Sequence, residues 1–331
     1  MKKCKKTTII SVILSLITIL LGVLYASSSY MIAYSLSPEH NRENEGNAYE
    51  LLFNRMPDMK PWVDSLRSKQ LLRDTFVLMP TGERHHALYL RGDSACGRTA
   101  IIVHGYKDCA VTYLYLGRMY HRDFGFNVLL PDLHAHGKSE GNDIQMGWKE
   151  RLDVRHWVSV SDSLFRDSVH EPKVIVHGVS MGAATTMNLS GEVLPNSVCA
   201  FVADCGYTSV WDEFATQMRQ QFSLPEFPVM YTTSLLCKIR NGWSFSEASP
   251  LRQVAKSKLP MLFIHGDSDT FVPTWMVHKL YEAKPEPKQL WIVPNTAHAL
   301  SFRNYPADYA IKVGDFLAKY KLRRPVDVCM R

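Results

Sequence analysis

The sequence predicts an α/β fold with a mostly parallel, doubly wound sheet, and three observations carry that prediction. Short apolar runs alternate with helix-patterned segments from about residue 75 to 320, the pattern of parallel strands covered by helices on both faces. The run Lys173-Val174-Ile175-Val176-His177 passes through Gly178-Val179-Ser180-Met181-Gly182 into Ala183-Ala184-Thr185-Thr186, a strand that turns sharply into a helix. The 331 residues are ample for one large domain with a sizeable core.

At the N-terminus, Lys2, Lys3, Lys5 and Lys6 precede a stretch from Thr7 to Pro38 without a charged residue, in which Ile9 to Ala26 is almost wholly apolar. That is about the length of a bilayer-spanning helix. Positive charge before the span and none just after it orients the N-terminus to the cytoplasm, with residues beyond about 30 translocated. A cleaved signal peptide is the alternative, since Ala26-Ser27-Ser28-Ser29 offers small residues to a peptidase. The apolar run exceeds most signal h-regions, which favours an uncleaved anchor. The division expected is a signal anchor over 1–30, a tether over 31–57 and a folded domain over 58–331, with an insertion at about 205–250.

Within the domain, Asp58 to Leu72 carries Trp62, Val63, Leu66 and Leu71 at helical spacing. Thr75 to Leu78 and His86 to Leu90 flank Pro80-Thr81-Gly82, a hairpin signal. Strands are then expected at Ala100 to Val103, Asn127 to Leu130, Val174 to Val176, Cys199 to Ala203, Met261 to Ile264 and Leu290 to Val293. Helices are expected at Val111 to Arg122, Trp148 to Phe165, Ala184 to Glu192, Trp275 to Ala283 and Tyr305 to Tyr320. Cys205 to Pro250 breaks the rhythm, with Val210, Trp211, Phe214, Met218 and Phe222 near helical spacing. This reads as a helical insertion over one end of the sheet, either packed on the core or contacting substrate.

Composition narrows the function. Of the net charge of +6, four units come from the N-terminal lysines, leaving about two for the rest and no basic face for nucleic acid. The seven cysteines (Cys4, Cys96, Cys109, Cys199, Cys205, Cys237 and Cys329) form no C-x-x-C pair and no closely spaced framework. Zinc ribbons and redox motifs are therefore not expected.

The chemistry centres on Ser180. In G-x-S-x-G at a strand-to-helix switch the serine sits on a strained turn, and side chains at Gly178 and Gly182 would collide with neighbouring backbone. The new helix aims its free N–H groups and positive dipole end at whatever Ser180 attacks. A serine hydroxyl needs a base, and the base needs a group that fixes its tautomer. Asp267 and Asp269 both lie in the loop after Met261 to Ile264, and His298 lies in the last loop before the final helix. Asp204, at an earlier strand end, is a further candidate acid. His134 and His136 make half of a metal site, but no other ligands occur at suitable spacing, so loop packing is the preferred reading.

Taken together, His104-Gly105-Tyr106, Pro131-Asp132-Leu133 with His136-Gly137-Lys138-Ser139, the Ser180 turn, Asp204-Cys205-Gly206-Tyr207-Thr208-Ser209, His265-Gly266-Asp267-Ser268-Asp269 with Val272-Pro273, and Ala297-His298 resemble the α/β-hydrolase superfamily across roughly residues 75 to 320. The likeness is greatest to a bacterial branch of single-domain, often membrane-anchored serine hydrolases. The resemblance implies an α/β-hydrolase fold with a small helical cap. It selects Asp269 as the acid and His298 as the base, and it pairs the backbone N–H of Tyr106 with that of Met181 as the oxyanion hole. One departure is His134-Ala135-His136, where the resemblance leads to Arg-Gly-His. The activity implied is cleavage of an ester-like acyl bond in a small molecule through an acyl-enzyme, with no cofactor and no metal. A peptidase or amidase of the same fold is the runner-up, with Glu213 and Glu226 as the acids in the insertion that could receive an amine. A non-catalytic hydrolase-like binding protein is the reading from another class. Trp211, Phe214, Phe222 and Phe227 favour an apolar acyl ester.

Overall fold

A computed structural model describes residues 2–38, 45–92, 97–166 and 168–322. Eight strands form one sheet in the order β1-β2-β4-β3-β5-β6-β7-β8. The strands are β1 (Arg73–Leu78), β2 (Arg84–Leu90), β3 (Arg98–Val103), β4 (Asn127–Pro131), β5 (Lys173–Val179), β6 (Val198–Asp204), β7 (Met261–Gly266) and β8 (Lys288–Val293). β1 pairs antiparallel with β2 and β2 antiparallel with β4, while all other pairings are parallel. The hairpin expected at Pro80-Thr81-Gly82 joins β1 to β2, with Gly82 at φ +96° and its N–H donated to the Met79 carbonyl. A tight turn of that hand favours glycine. β3 to β7 are nearly continuous apolar runs and are buried along almost their whole length, as a sheet covered on both faces requires.

Two apolar layers flank the sheet. One holds Trp157, Met187, Phe201, Trp243 and Met276; the other holds Leu114, Tyr120, Phe126, Val202 and Phe316. The helices in these layers include α5 (Glu150–Leu164), α6 (Met181–Ser190), α10 (Trp275–Ala283) and α12 (Pro306–Lys319), and they match the periodic segments of the sequence. A single turn, α11 (Ser301–Asn304), leads into α12. The segment expected as one helix over Val111 to Arg122 is broken into three: a 3-10 turn at Ala110–Tyr113, α4 (Leu114–Arg118) and a π-helical turn at Met119–Asp123. The break has a local cause at its start. The Ala110 N–H is donated to the Asp132 carboxylate at 2.7 Å, which fixes the first turn by a side chain rather than by helix propagation.

The N-terminal region departs furthest from expectation. α1 runs unbroken from Lys2 to Leu36, past the boundary expected at 30, and α2 (Glu45–Arg55) occupies much of the expected tether. The apolar spacing around Ala48, Tyr49 and Leu52 is slight, yet all three are buried in the second layer. α3 (Met59–Ser68) lies next in the chain. Residues Thr8–Leu36 of α1 are long and apolar enough to cross a membrane, and the most apolar window of that stretch is not buried. Its last turns behave differently. Ile32 and Leu36 enter the first core layer, the Leu36 carbonyl accepts from the Ile144 N–H at 2.8 Å, and Ser28 Oγ donates to Thr232 Oγ1 at 2.8 Å.

The insertion contains α7 (Val210–Phe222) and α8 (Val229–Asn241), and α9 (Pro250–Val254) comes directly after it; no described residue between 205 and 250 is in a strand. Ser209 caps α7, its side chain accepting the Asp212 N–H at 3.0 Å, and Ser249 caps α9 in the same way.

Candidate active site

The turn between β5 and α6 places Ser180 at φ +57° and ψ −120°, a conformation that costs a non-glycine residue strain and recurs at functional positions. A Cβ at Gly178 would overlap the Gly182 carbonyl, and one at Gly182 would overlap the Val103 carbonyl. Both glycines are thus demanded by contact. The Ser180 N–H is held by the Asp204 carbonyl at 2.8 Å, which pins the turn to β6.

Three side chains from three strand ends meet here. Ser180 Oγ lies 2.8 Å from His298 Nε2, and His298 Nδ1 lies 2.7 Å from Asp269 Oδ2. The other oxygen of Asp269 accepts the backbone N–H groups of Phe271 and Val272 at 3.0 and 2.9 Å. Burial pushes the Asp269 carboxyl up, but hydrogen bonds from His265 and His298 outweigh it and hold the group below the ordinary carboxylate range. A carboxylate that stays ionised leaves His298 Nδ1 as the donor and Nε2 as the acceptor facing the serine.

The rival acids are placed elsewhere. Asp267 is exposed and receives the Ser268 hydroxyl at 2.8 Å. Asp204 accepts from Ser301 Oγ at 3.1 Å and Tyr309 Oη at 3.0 Å, and burial raises its pKa to about 6. His265 is a residue to which the sequence alone assigns no role. It lies fully buried on β7, with Nε2 2.9 Å from the Val272 carbonyl and 3.3 Å from Asp269 Oδ2. Its place in the motif before Asp269 is visible, but a histidine inside an apolar strand carries no sign of what it faces.

His104 and Tyr106 serve the loop beside the serine. His104 Nδ1 donates to the Gly105 carbonyl at 2.8 Å and its Nε2 accepts the Leu133 N–H at 2.9 Å, tying this loop to the end of β4. The Tyr106 hydroxyl donates to the Ser35 carbonyl of α1 at 2.8 Å, and burial pushes its pKa up to about 12.

A cavity of about 340 Å³ opens beside Ser180 and Met181. Its walls are largely apolar, with Phe214, Met218 and Phe222 from α7 and Met230 from α8. Met31, Tyr34 and Ser35 of α1 complete it. Two of the four insertion aromatics expected at the substrate are absent from this wall: Trp211 donates to Glu226 at 3.0 Å, and Phe227 faces solvent. Glu226 is also engaged by Arg219. Glu213 does line the cavity. One of its oxygens accepts from Gln217 at 3.0 Å, the other is buried without a partner among the described residues, and burial raises its pKa to about 8.

Among the described residues, two groups of side chains come close enough to offer ligands to a metal. Cys205, Asp269 and His298 form one, but Asp269 and His298 bind each other and burial drives the Cys205 thiol well up, against thiolate formation. Glu83, His85 and His134 form the other, with ligand atoms within 4.8 Å of one another. The sequence offered His134 with His136 instead. His136 turns away and packs against His104, with ring centres 5.0 Å apart, while β2 brings His85 to His134.

A strand-order switch with a serine turn at its centre, and a histidine and acid on later strand ends, defines an α/β hydrolase. The chain belongs to the Alpha/beta hydrolase family, whose model matches residues 100–312. It is 32% identical over 219 residues to the uncharacterized protein YqkD of Bacillus subtilis (strain 168), covering 66% of this chain and 70% of YqkD. Among solved structures it is similar to the Pyrococcus furiosus esterase Pf2001, at 25% identity and a TM-score of 0.61 over 76% of this chain and 91% of that one. It also resembles the Pyrococcus horikoshii acylaminoacyl peptidase, at 15% identity and a TM-score of 0.55 over 80% of this chain and 44% of that one, a likeness of fold alone.

Proposed function

We propose that this protein is a serine ester hydrolase held in a membrane by α1, with its domain on the extracytoplasmic side. The reading is carried by the hydrogen-bonded series Ser180, His298 and Asp269, at 2.8 and 2.7 Å. Ser180 Oγ attacks the ester carbonyl carbon as His298 Nε2 takes its proton, and Asp269 stabilises the imidazolium through Nδ1–H. The backbone N–H groups of Met181 and Tyr106 receive the oxyanion, where loss of one donor typically costs about 100- to 1000-fold. Collapse breaks the bond to the alcohol oxygen, which leaves with the proton from His298. Water, giving a proton to the same nitrogen, then cleaves the acyl-enzyme and frees the acid. The extracytoplasmic orientation rests on the four lysines before the span. An uncleaved anchor is favoured because Ser28, inside the stretch a peptidase would cut, is buried against Thr232.

The experiment is a substrate profile of the full chain in detergent, with p-nitrophenyl esters of graded chain length beside aminoacyl arylamides. Turnover of the esters with the arylamides at least about 100-fold slower is expected. The reverse order would give the amidase reading, which one observation favours: the unpartnered oxygen of Glu213 on the cavity wall, once ionised above about pH 8, would accept from a substrate N–H.

Glu213 also makes a pH prediction. With its pKa raised from 4.5 to about 8 by burial, it is neutral at pH 7 and ionises as the pH passes 8. A carboxylate with one unpartnered oxygen in a largely apolar cavity disfavours an apolar acyl group, so KM for a medium-chain ester is expected to rise between pH 7 and 9. Glu213→Gln should flatten that rise, and a wild-type KM that stays level would refute the assignment. Stability has the same sign. The folded state holds the proton that the unfolded state has lost, so this group's contribution to stability falls from about pH 4.5 to 8 and levels off above.

A further inference from the structure

α8 is a one-helix partition with two apolar faces. Met230 and Thr233 face the cavity that holds Ser180. On the outer face, Phe227, Tyr231, Leu235 and Ile239 recur every four residues and are 72%, 55%, 61% and 72% exposed. Spacing of four places them in one stripe along the helix and the turn before it. Isolated exposed apolar residues are ordinary, but a continuous stripe marks a surface that something covers.

The cover is indicated by the neighbouring helix. α8 packs along the end of α1, where Ser28 meets Thr232 and Arg240 donates to Tyr25 Oη at 2.8 Å while lying over the Tyr25 ring. Thr8–Leu36 comprises 29 residues, about 43 Å of helix at 1.5 Å per residue, whereas the hydrocarbon core is about 30 Å thick. The last two or three turns of α1 therefore lie at the membrane interface, where tyrosines gather, and Tyr30 and Tyr34 are exposed there, with Tyr25 one turn before them. The stripe lies on the helix that flanks those turns, and the two cations at its end are held within the protein, Arg240 by Tyr25 and Lys238 by Glu247 at 2.7 Å, which leaves the apolar side chains to meet lipid.

We propose that the outer face of α8 is seated in the bilayer beside α1, and that the substrate is an acyl ester resident in that bilayer, its chain passing into the cavity walled by α1, α7 and α8. The substrate class rests on the ester-hydrolase reading; the seating of α8 rests only on α1 as the membrane span.

The test uses the full chain in nanodiscs of mixed phosphatidylcholine and phosphatidylglycerol, with p-nitrophenyl butyrate as the soluble ester and 4-methylumbelliferyl palmitate dissolved in the same bilayer. The double variant Leu235→Asp, Ile239→Asp is expected to lose at least about tenfold in turnover of the palmitate while butyrate turnover stays within about twofold. The milder pair Leu235→Ser, Ile239→Ser gives the same ordering should the charged pair impair folding. Unchanged turnover of both esters in both double variants overturns the proposal, as does a change in oligomeric mass without a change in palmitate turnover, which would give the stripe to a second copy of the chain. Seating is read separately from Ile239→Trp, whose emission is expected to be quenched by phospholipids brominated on the acyl chain. No quenching overturns the seating. Quenching with no butyrate turnover in the wild type overturns the ester-hydrolase reading instead.

Discussion

Ser180→Ala is expected to lower ester turnover by about 10⁶-fold and to abolish labelling by a fluorophosphonate probe, because nucleophile and base act as a unit and removing either forfeits the covalent route. The change removes one hydroxyl from a site whose backbone is fixed independently, by the Ser180 N–H on Asp204 and by the close contacts at Gly178 and Gly182. The variant should therefore remain folded, with an unaltered melting temperature to within a few degrees. Intact-mass spectrometry after probe treatment gives the answer directly. A covalent adduct on a different serine at wild-type rate would remove Ser180 from the reaction.

Asp269→Asn is expected to cost about 10⁴-fold in kcat, while Asp204→Asn keeps turnover within about tenfold of wild type. The asymmetry lies in the partners of each acid. Asp269 receives His298 Nδ1–H and two backbone N–H groups, so an amide there turns the imidazole to the wrong tautomer. Asp204 receives Tyr309 and Ser301, and an amide oxygen at that position can still accept one of them. Steady-state kinetics on a p-nitrophenyl ester distinguishes the two. The opposite ranking would move the acid from β7 to β6.

Much of the fold and of the candidate site is legible in the sequence, and particular residues explain the remainder. β3 to β7 can be read because burial on both faces forces short unbroken apolar runs, which turns bound on either side. Ser180 and His298 can be read because each sits in a loop after an apolar run; Asp269 shares its loop with Asp267, and only the resemblance chooses between them. The break at residues 110 to 123 cannot be read, since it depends on an Asp132 carboxylate that arrives from the end of β4. α2 cannot, since its helix is mostly polar and owes its place to Ala48, Tyr49 and Leu52 docking on a surface made by other elements. His265 is hidden for the same reason. An imidazole on β7 gains its meaning from the loop that folds back over it.

The end of α1 is the least legible of all, because a bilayer and the wall of an apolar cavity would select the same side chains. Met31, Tyr34 and Ser35 read as the start of a tether, yet they close the cavity, and the Ser35 carbonyl holds the Tyr106 hydroxyl. An ordinary membrane tether is free in phase: residues can be added or removed and the helix merely lengthens or tilts. Here each residue added between Ser28 and Met31 would rotate the last turns of α1 by about 100° relative to Ser28, carrying Met31 and Tyr34 out of the wall. α1 is thus keyed in rotation to the domain that follows it, and a chimaera carrying a foreign N-terminal helix would have to keep that phase to keep the cavity closed.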